Sequence, residues 1–387
     1  MHSPPALQAL VHGAGPTGAL AALALADAGW QPTVRDPLNA VQLVQRSRAY
    51  ALNHSSQQLL ETLGLWSLLQ PQMVPFHRLE LCDLALAEQV HFSSADLPRG
   101  RRGSAVGWIV QHQVLMPALL NQLRIHPAIT VQLGWTAADG LRSQAAVHHL
   151  MVAADGPQSP QRHDLGVGTF DWPYKQNCLT SQVALRGSDS DQAWELFRPE
   201  GPFAVLPLGR GTFQLVWSAP AARCRQLEGQ TDVAFLDSLA AALPDRFQPD
   251  VLLEPPRAFP VAWMLAHRLS RGSTVLLGES AHRCHPVGGQ GLNLCWRDVA
   301  VLHRLARRVS GGRLPAQRLP SAYGRRRWPD LLLTLLFTDL LVRLFSNRSA
   351  LLLPLRHLLL GLLRRMPVLR RLSLGSMTLG PCRPWSG

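Results

Sequence analysis

The chain has 387 residues, more than one common domain needs, and this length predicts about two hydrophobic cores. Its six cysteines form no C-x-x-C pair and the N-terminus shows no basic-then-apolar signal, so we expect a reducing, cytoplasmic setting and no metal site. The net charge of +13 is uneven: residues 301–387 hold 16 arginines and two acidic residues, for a net of +14, against −1 for the 300 residues before them. No recognised nucleic-acid motif or aromatic platform accompanies this charge, which argues against a nucleic-acid partner.

The N-terminal segment predicts a dinucleotide-binding unit. It presents in turn an apolar strand, a glycine turn that matches G-x-G-x-x-G, an alanine- and leucine-rich helix and a second strand, at residues 7–11, 13–18, 19–28 and 32–35. Gly13, Gly15 and Gly18 would permit the tight turn and a close approach to a pyrophosphate. Asp36, which ends the second strand about 20 residues beyond the motif, would accept hydrogen bonds from the adenosine ribose.

Two later segments repeat this design. Residues 150–152 are apolar and lead into Asp155 and Gly156, a pair that by itself marks only a turn. Residues 274–277 form another apolar strand, after which a glycine cluster at 288–291 leads into a helix that begins near Leu292. The first N–H groups of such a helix point at any negative charge nearby. Taken alone, this cluster is also compatible with a glycine loop that binds no ligand.

Together these motifs resemble the flavin-dependent aromatic hydroxylases of the p-hydroxybenzoate hydroxylase type, over nearly the whole chain. The resemblance implies an α/β fold with a discontinuous Rossmann-like FAD-binding domain, a β-sheet substrate domain and a C-terminal helical segment. It also implies bound FAD, with NAD(P)H as a transient reductant, since the chain has no second G-x-G-x-x-G. The FAD-binding residues carried over are Gly13, Gly15, Gly18, Asp36, Arg48, Asp155, Gly278, Glu279, Pro286, Gly289, Gly291, Leu292 and Asn293.

One departure of the third motif from the family pattern matters. Glu279 replaces the family aspartate, and its carboxylate would still contact the ribityl chain on a longer arm. The resemblance places Pro286 against the flavin ring, and it places the N–H groups of residues 289–293 where they would stabilise negative charge on the pyrimidine edge. His282 and His285 flank this loop, and either could assist phenol deprotonation, although a structural role is favoured for both. We name no catalytic base.

Three further segments narrow the resemblance to the ubiquinone-biosynthesis branch, the 2-polyprenylphenol hydroxylases. They are the R-x-x-A-L region that starts at Arg48, the strand pair at 198–208, and the T-D-x-L-x-x-L-F-S-N segment at 338–347. The branch implies hydroxylation of a polyprenylated phenol through a flavin 4a-hydroperoxide, in ubiquinone or plastoquinone synthesis. Alternatives stay open: a prenyl-chain reductase or small-aromatic hydroxylase on the same fold, or a non-catalytic member of a quinone-biosynthesis complex.

The predicted layout has four parts. Residues 1–170 and 266–310 form the FAD-binding domain, 171–265 form the substrate-binding sheet, and 311–387 form the basic helical segment. In this last part arginines interrupt every leucine run well before the roughly 20 apolar residues of a membrane span. Two interpretations remain: residues 330–387 bind peripherally to the inner face of the membrane, or they are soluble helices with a solvated arginine face.

Overall fold

The computed structural model describes residues 6–135, 148–187, 189 and 191–382. Its strands are β1 (Gln8–His12), β2 (Gln31–Asp36), β3 (Ala49–Leu52), β4 (Val74–Phe76), β5 (Arg78–Asp83), β6 (Glu88–Ser93), β7 (Gly107–Gln111), β8 (Thr130–Leu133), β9 (Leu150–Ala153), β10 (Thr169–Arg186), β11 (Gln192–Arg198), β12 (Gly201–Gly209), β13 (Thr212–Pro220), β14 (Gln248–Ala266), β15 (Ser270–Arg271), β16 (Thr274–Leu276) and β17 (His282–Arg283). Its helices are α1 (Pro16–Asp27), α2 (Ala40–Val44), α3 (His54–Thr62), α4 (Trp66–Leu69), α5 (His112–Ile125), α6 (Pro160–Asp164), α7 (Ala221–Glu228), α8 (Asp232–Ala240), α9 (Gln290–Ser310), α10 (Leu319–Phe345), α11 (Leu353–Arg365) and α12 (Pro367–Leu379).

A largely parallel sheet carries the three motifs. Its strand order is β15-β16-β9-β1-β2-β8, and only β15 runs antiparallel to its neighbour. The predicted strand–turn–helix–strand unit is β1, α1 and β2. Helix α1 is rich in alanine and leucine and buried along most of its length, because it packs on the sheet and against α9. The carboxyl ends of β1, β9 and β16 therefore lie side by side, and each ends at one of the motifs.

The second sheet is mainly antiparallel and lies across a cavity from the first. Its order is β17-β14-β10-β13-β12-β11-β5-β6, and α7 and α8 cover one of its faces. Strands β5 and β6 come from residues 78–93, which the predicted layout places in the first FAD-binding portion. They belong to this sheet because β5 pairs in parallel with β11, more than a hundred residues later. A pairing between such distant segments leaves no local pattern in the sequence.

The C-terminal helices pack against the edge of the second sheet. Phe345 of α10 stacks on Phe197 of β11 at 4.4 Å between ring centroids. Arg356 of α11 is buried, with its Nη1 3.7 Å from Asp83, and Arg370 of α12 lies 3.1 Å from Asp96. These two arginines fasten the segment to the fold. The two interpretations of the basic segment therefore concern its exposed arginines, such as Arg348, Arg364 and Arg365.

Within the described ranges, every helix is too short or too polar to cross a membrane.

Candidate active site

A cavity of about 1290 Å³ lies between the two sheets. The three glycine motifs line one side, strands β10 to β14 line the other, and α12 closes part of the rim. Most of the predicted site residues reach it. Gly18 and Gly278 do not line the cavity and are buried behind it.

The first glycine loop is held together by close backbone contacts. A Cβ on Gly18 would lie 1.9 Å from the carbonyl oxygen of Gly13, and a Cβ on Gly13 would lie 2.3 Å from that of Ala154. Gly13 also has a φ of +98°, which favours glycine. These two glycines let β1, α1 and β9 approach one another closely.

Gly15 has the opposite environment. Apart from its chain neighbours, no atom of the described residues would lie within 4 Å of a Cβ built on it, so this glycine leaves open space on the cavity side. Gly15 is also the N-cap of α1 and provides no capping side chain. The N–H groups of Thr17 and Gly18 lie in the first turn, where a helix offers them no acceptor. An anionic group could take both the space and these donors.

Asp36 of the first motif and Asp155 of the second both line the cavity and accept hydrogen bonds from backbone N–H groups. Asp36 accepts hydrogen bonds from the N–H groups of Ala14 at 2.6 Å and Leu38 at 2.8 Å, which fixes the glycine loop to β2. Asp155 accepts from Gln161 N–H at 3.1 Å, while its Oδ1 is buried with no hydrogen-bond partner in the described part of the chain. A buried oxygen without a hydrogen-bond donor at the cavity wall indicates that a bound ligand provides the donor.

The third motif starts at a glycine with left-handed backbone. Gly278 has a φ of +64°, and its N–H donates to Asp298 at 2.8 Å. The adjoining Glu279 projects into the cavity and is exposed there. The side chain of this glutamate is therefore open to a ligand in the cavity.

The loop before α9 presents a short row of donors. Gly288 and Gly289 both have left-handed backbone, and Gly289 is the N-cap of α9 without a capping side chain. Because Gly289 N–H already donates to Pro286 at 3.0 Å, the first-turn N–H groups left without a helix acceptor are those of residues 290–292. Gly289 N–H is therefore engaged within the protein and is removed from the predicted donor row of 289–293. A Cβ on Gly291, as on Gly15, would meet nothing within 4 Å.

The side-chain amide of Asn293 is hydrogen-bonded to the protein. Its Oδ1 accepts from Asn53 N–H at 3.0 Å and Ser56 Oγ at 2.6 Å, and its Nδ2 donates to Ala51 at 2.7 Å and Gly289 at 2.8 Å. The amide thus has two bonds on each end and joins α9 to the β3–α3 connection. It lines the cavity while its hydrogen-bonding groups are occupied by protein.

A buried ionic network supports this loop. Asp298 accepts from Arg327 at 2.6 Å and from His282 Nε2 at 2.7 Å, and Arg327 also pairs with Asp330. Arg297 joins from the other side, 2.9 Å from Asp330. Burial alone would raise the pKa of Asp298, but His282 and Arg327 hold it below its usual range. The network joins α9 to α10 and fixes Gly278 through a carboxylate that stays charged.

Neither loop histidine is placed as a base. His282 borders the cavity, but its Nε2 is committed to Asp298. His285 is buried against Tyr174, does not line the cavity, and has its pKa lowered by burial to about 3. A histidine this hard to protonate and turned away from the cavity supports the structural role.

Two features of the site were missing from the sequence analysis. One is Glu195 of β11, a carboxylate in an apolar strand that lines the cavity and accepts from Gly288 N–H at 3.2 Å. The other is α12, which contributes Leu374, Met377 and Thr378 to the wall. The carbonyl of Met377 accepts from Asn53 and Gln290, at 2.9 and 3.1 Å. A lone acidic residue in the run 193–197 was the available signal for Glu195, whereas α12 gave none.

The cavity fits a flavin dinucleotide. Its two uncapped helix N-termini, the open space beside Gly15 and Gly291, and the unpaired Asp155 oxygen are what a bound dinucleotide would complete. A family described as FAD binding domain matches residues 6–329. The chain belongs to this family.

Two relatives and one solved structure are similar to the chain over most of its length. The ubiquinone hydroxylase UbiL of Rhodospirillum rubrum is 32% identical, with 97% of this chain and 91% of that protein covered. The 3-demethoxyubiquinol 3-hydroxylase of Escherichia coli is 31% identical, with 94% and 96% covered. The crystal structure of Klebsiella pneumoniae HpxO with FAD and uric acid has the same fold, with a TM-score of 0.76 at 20% identity and 97% and 98% of the two chains covered.

The protein is therefore an FAD-dependent monooxygenase. The resemblance drawn from the motifs is confirmed for the family, the fold class, the enzyme class and the cofactor, and NAD(P)H is the typical reductant of the family. A non-catalytic role and a prenyl-chain reductase lose their support.

Proposed function

We propose that this monooxygenase hydroxylates the aromatic ring of a polyprenylated phenol in quinone biosynthesis. The names of the two relatives support the pathway. One observation of the structure carries the substrate class: beyond the glycine loops, the cavity continues along a wall of mainly apolar side chains, among them Leu81, Ala204, Leu206 and Val216. An apolar wall with few polar groups suits an apolar ligand that carries a single polar ring.

The residues of the glycine loops would hold FAD in this cavity. The N-terminus of α1 and the space beside Gly15 suit the pyrophosphate, Asp36 suits the adenosine ribose, and Glu279 suits the ribityl chain. The N–H groups of residues 290–292 suit the pyrimidine edge of the ring, beside Pro286. When bound, FAD supplies the activation of oxygen. The chain orients the phenol against the ring and keeps water from it.

Substrate-stimulated oxygen uptake tests the activity. The purified protein, loaded with FAD and given NADH or NADPH, should consume oxygen faster when a polyprenylated phenol is added and should release the ring-hydroxylated product, identified by mass spectrometry. Expression in bacteria that lack the relative 3-demethoxyubiquinol 3-hydroxylase would show which ring position is used. If small phenols are hydroxylated and prenylated ones are not, the proposed substrate class is wrong.

We further propose that the C-terminal helices hold the enzyme on the inner face of the membrane, where such a substrate dissolves. Helix α10 exposes Leu336 and Leu340 at 57% and 59%, and the turn before α11 exposes Leu351 at 90%. Arg348, Arg364 and Arg365 are exposed in the same segment. Exposed leucines interspersed with arginines suit an interface of apolar chains and anionic headgroups.

Vesicle sedimentation tests this proposal. Changing Arg348, Arg364 and Arg365 to Glu should weaken binding to anionic vesicles, because each basic residue at the surface contributes about 1 kcal/mol. Arg370 is unsuitable since it pairs with Asp96.

The matched control reverses three exposed arginines elsewhere, Arg124, Arg225 and Arg268, for the same change in net charge. FAD content reports folding in both variants. Equal sedimentation of the two variants would show that total charge, and no particular surface, governs binding.

A further inference from the structure

Glu195 occupies the middle of β11, on the face that looks toward the flavin loop. Ala193 and Phe197, two positions away on either side, share this face because side chains alternate along a strand. The side chain is 6% exposed, and its Oε2 accepts from Gly288 N–H at 3.2 Å. One carboxylate thus joins the substrate sheet to the loop in which the flavin ring is expected.

The immediate surroundings of Glu195 are apolar. Its cross-strand partners are Leu81 on β5 and Ala204 on β12, and both line the cavity beside it. From β10 the thiol of Cys178 lies nearby, and burial raises the pKa of this thiol to about 12, so it stays neutral. The other Arg, Asp and Glu side chains of the cavity wall come from other elements: Arg35, Asp36, Arg46, Arg48, Asp155, Arg257, Glu279 and Arg283.

In these surroundings the Glu195 carboxyl is close to the balance between its protonated and ionised forms. Burial raises the pKa of Glu195 to about 7, and the hydrogen bond from Gly288 offsets the rise only in part. A group that is half ionised near neutral pH is suited to exchange protons with a ligand during turnover. The FAD contacts proposed above involve the glycine loops and Glu279, and Glu195 is not one of them.

We propose that Glu195 is a catalytic residue that binds the ring hydroxyl of the substrate and accepts its proton. This rests on the proposed function, in which the substrate is a phenol. The O–H bond breaks, its proton moves to the carboxylate oxygen of Glu195, and the electron pair stays on the phenol oxygen. The phenolate so formed is richer in electrons at the ring carbons next to and opposite that oxygen. After hydroxylation the proton returns from Glu195 to the oxygen of the product, so none is gained or lost at this residue.

The decisive variant is Glu195→Gln, which keeps an oxygen for Gly288 N–H but cannot take up a proton. FAD content should be unchanged, while kcat should fall by about 10²–10⁴, the usual range for loss of a general base. The wild-type pH profile should show an acid limb near pH 7, which the variant should lack. Glu195→Asp should restore part of the rate together with a limb. Glu61→Gln, on the exposed face of α3, is the matched control.

Binding without turnover gives an independent measurement. With FAD bound and no reductant, a phenol analogue should bind to wild type with a pH dependence that Glu195→Gln lacks, and its methyl ether, which has no proton to give, should bind equally to both. If wild type hydroxylates the phenol and Glu195→Gln matches it in kcat and pH profile, this inference is overturned and the proposed function stands. If no phenol stimulates oxygen uptake by wild type, the proposed function itself fails.

Discussion

The two sides of the cavity are built from different parts of the chain. On the side of the parallel sheet, backbone groups dominate: glycines with open space beside them, and helix N-termini without capping side chains. On the side of the second sheet, side chains of several strands form the surface, with Glu195 among apolar neighbours. A surface of backbone groups does not change when nearby side chains are substituted. It therefore suits a cofactor, which is always the same molecule. A surface of side chains can change residue by residue, and suits the choice of substrate.

The largest expected effect comes from adding a side chain on the backbone-built side. Gly15 has a φ of −63°, which any residue adopts. Apart from its chain neighbours, no atom of the described residues would lie within 4 Å of a Cβ added to it, so Gly15→Glu should fold. It should nevertheless abolish FAD binding, because a carboxylate would occupy the place of the pyrophosphate. Flavin absorbance after purification and FAD titration measures this. A variant that is still yellow would show that FAD does not approach Gly15.

The ionic network behind the loop should give the next largest effect, on stability. Asp298→Ala removes the partner of Arg327 and leaves a buried charge less compensated, which costs about 3–5 kcal/mol. Urea unfolding of the protein without FAD measures it. The control is Asp189→Ala, which removes an exposed partner of Arg78 and should cost about 0–1 kcal/mol. Similar losses in both variants would mean that the buried network contributes no more than a surface pair.

Glu279 should affect cofactor affinity moderately. Glu279→Ala should weaken FAD binding by about 1.5–3 kcal/mol, through loss of one charge-assisted hydrogen bond. Glu279→Asp, the family residue, should bind at least as well as the parent. Fluorescence titration of FAD with the protein measures both. Should the alanine variant bind as tightly as the parent, the side chain does not contact the ribityl chain.

The glycine-loop side of the cavity could be predicted from the sequence, whereas the side-chain wall could not, for a physical reason. Each glycine motif is contiguous, because a turn and the helix after it are made from neighbouring residues, so Gly13, Gly15 and Gly289 could be recognised directly. The wall depends on pairing between strands that are far apart in the chain, such as β5 with β11, and no short window records this. The motifs also left the roles of their members unresolved: Gly18 and Asn293 turn out to hold backbone segments together.

The smallest expected effect tests Glu195 without FAD or substrate. Because its pKa in the folded protein is raised to about 7, the folded state binds more protons than the unfolded chain, whose glutamates have a pKa of about 4.3. The stability that this provides is complete below the unfolded pKa and is lost as the pH rises through 7. His54 and His285, whose pKa values burial lowers to about 4 and about 3, act in the opposite direction, since their contribution is lost as the pH falls.

The histidine contributions cancel when wild type is compared with Glu195→Gln at each pH. The stability of wild type relative to the variant should therefore fall by about 1 kcal/mol between about pH 6 and about pH 8. Urea unfolding of the two proteins over that range measures the difference. A difference that does not vary with pH would show that Glu195 is ionised throughout, as an exposed glutamate would be. Glu195 would then not exchange a proton near neutral pH, and what distinguishes its side of the cavity from the backbone-built side would be shape.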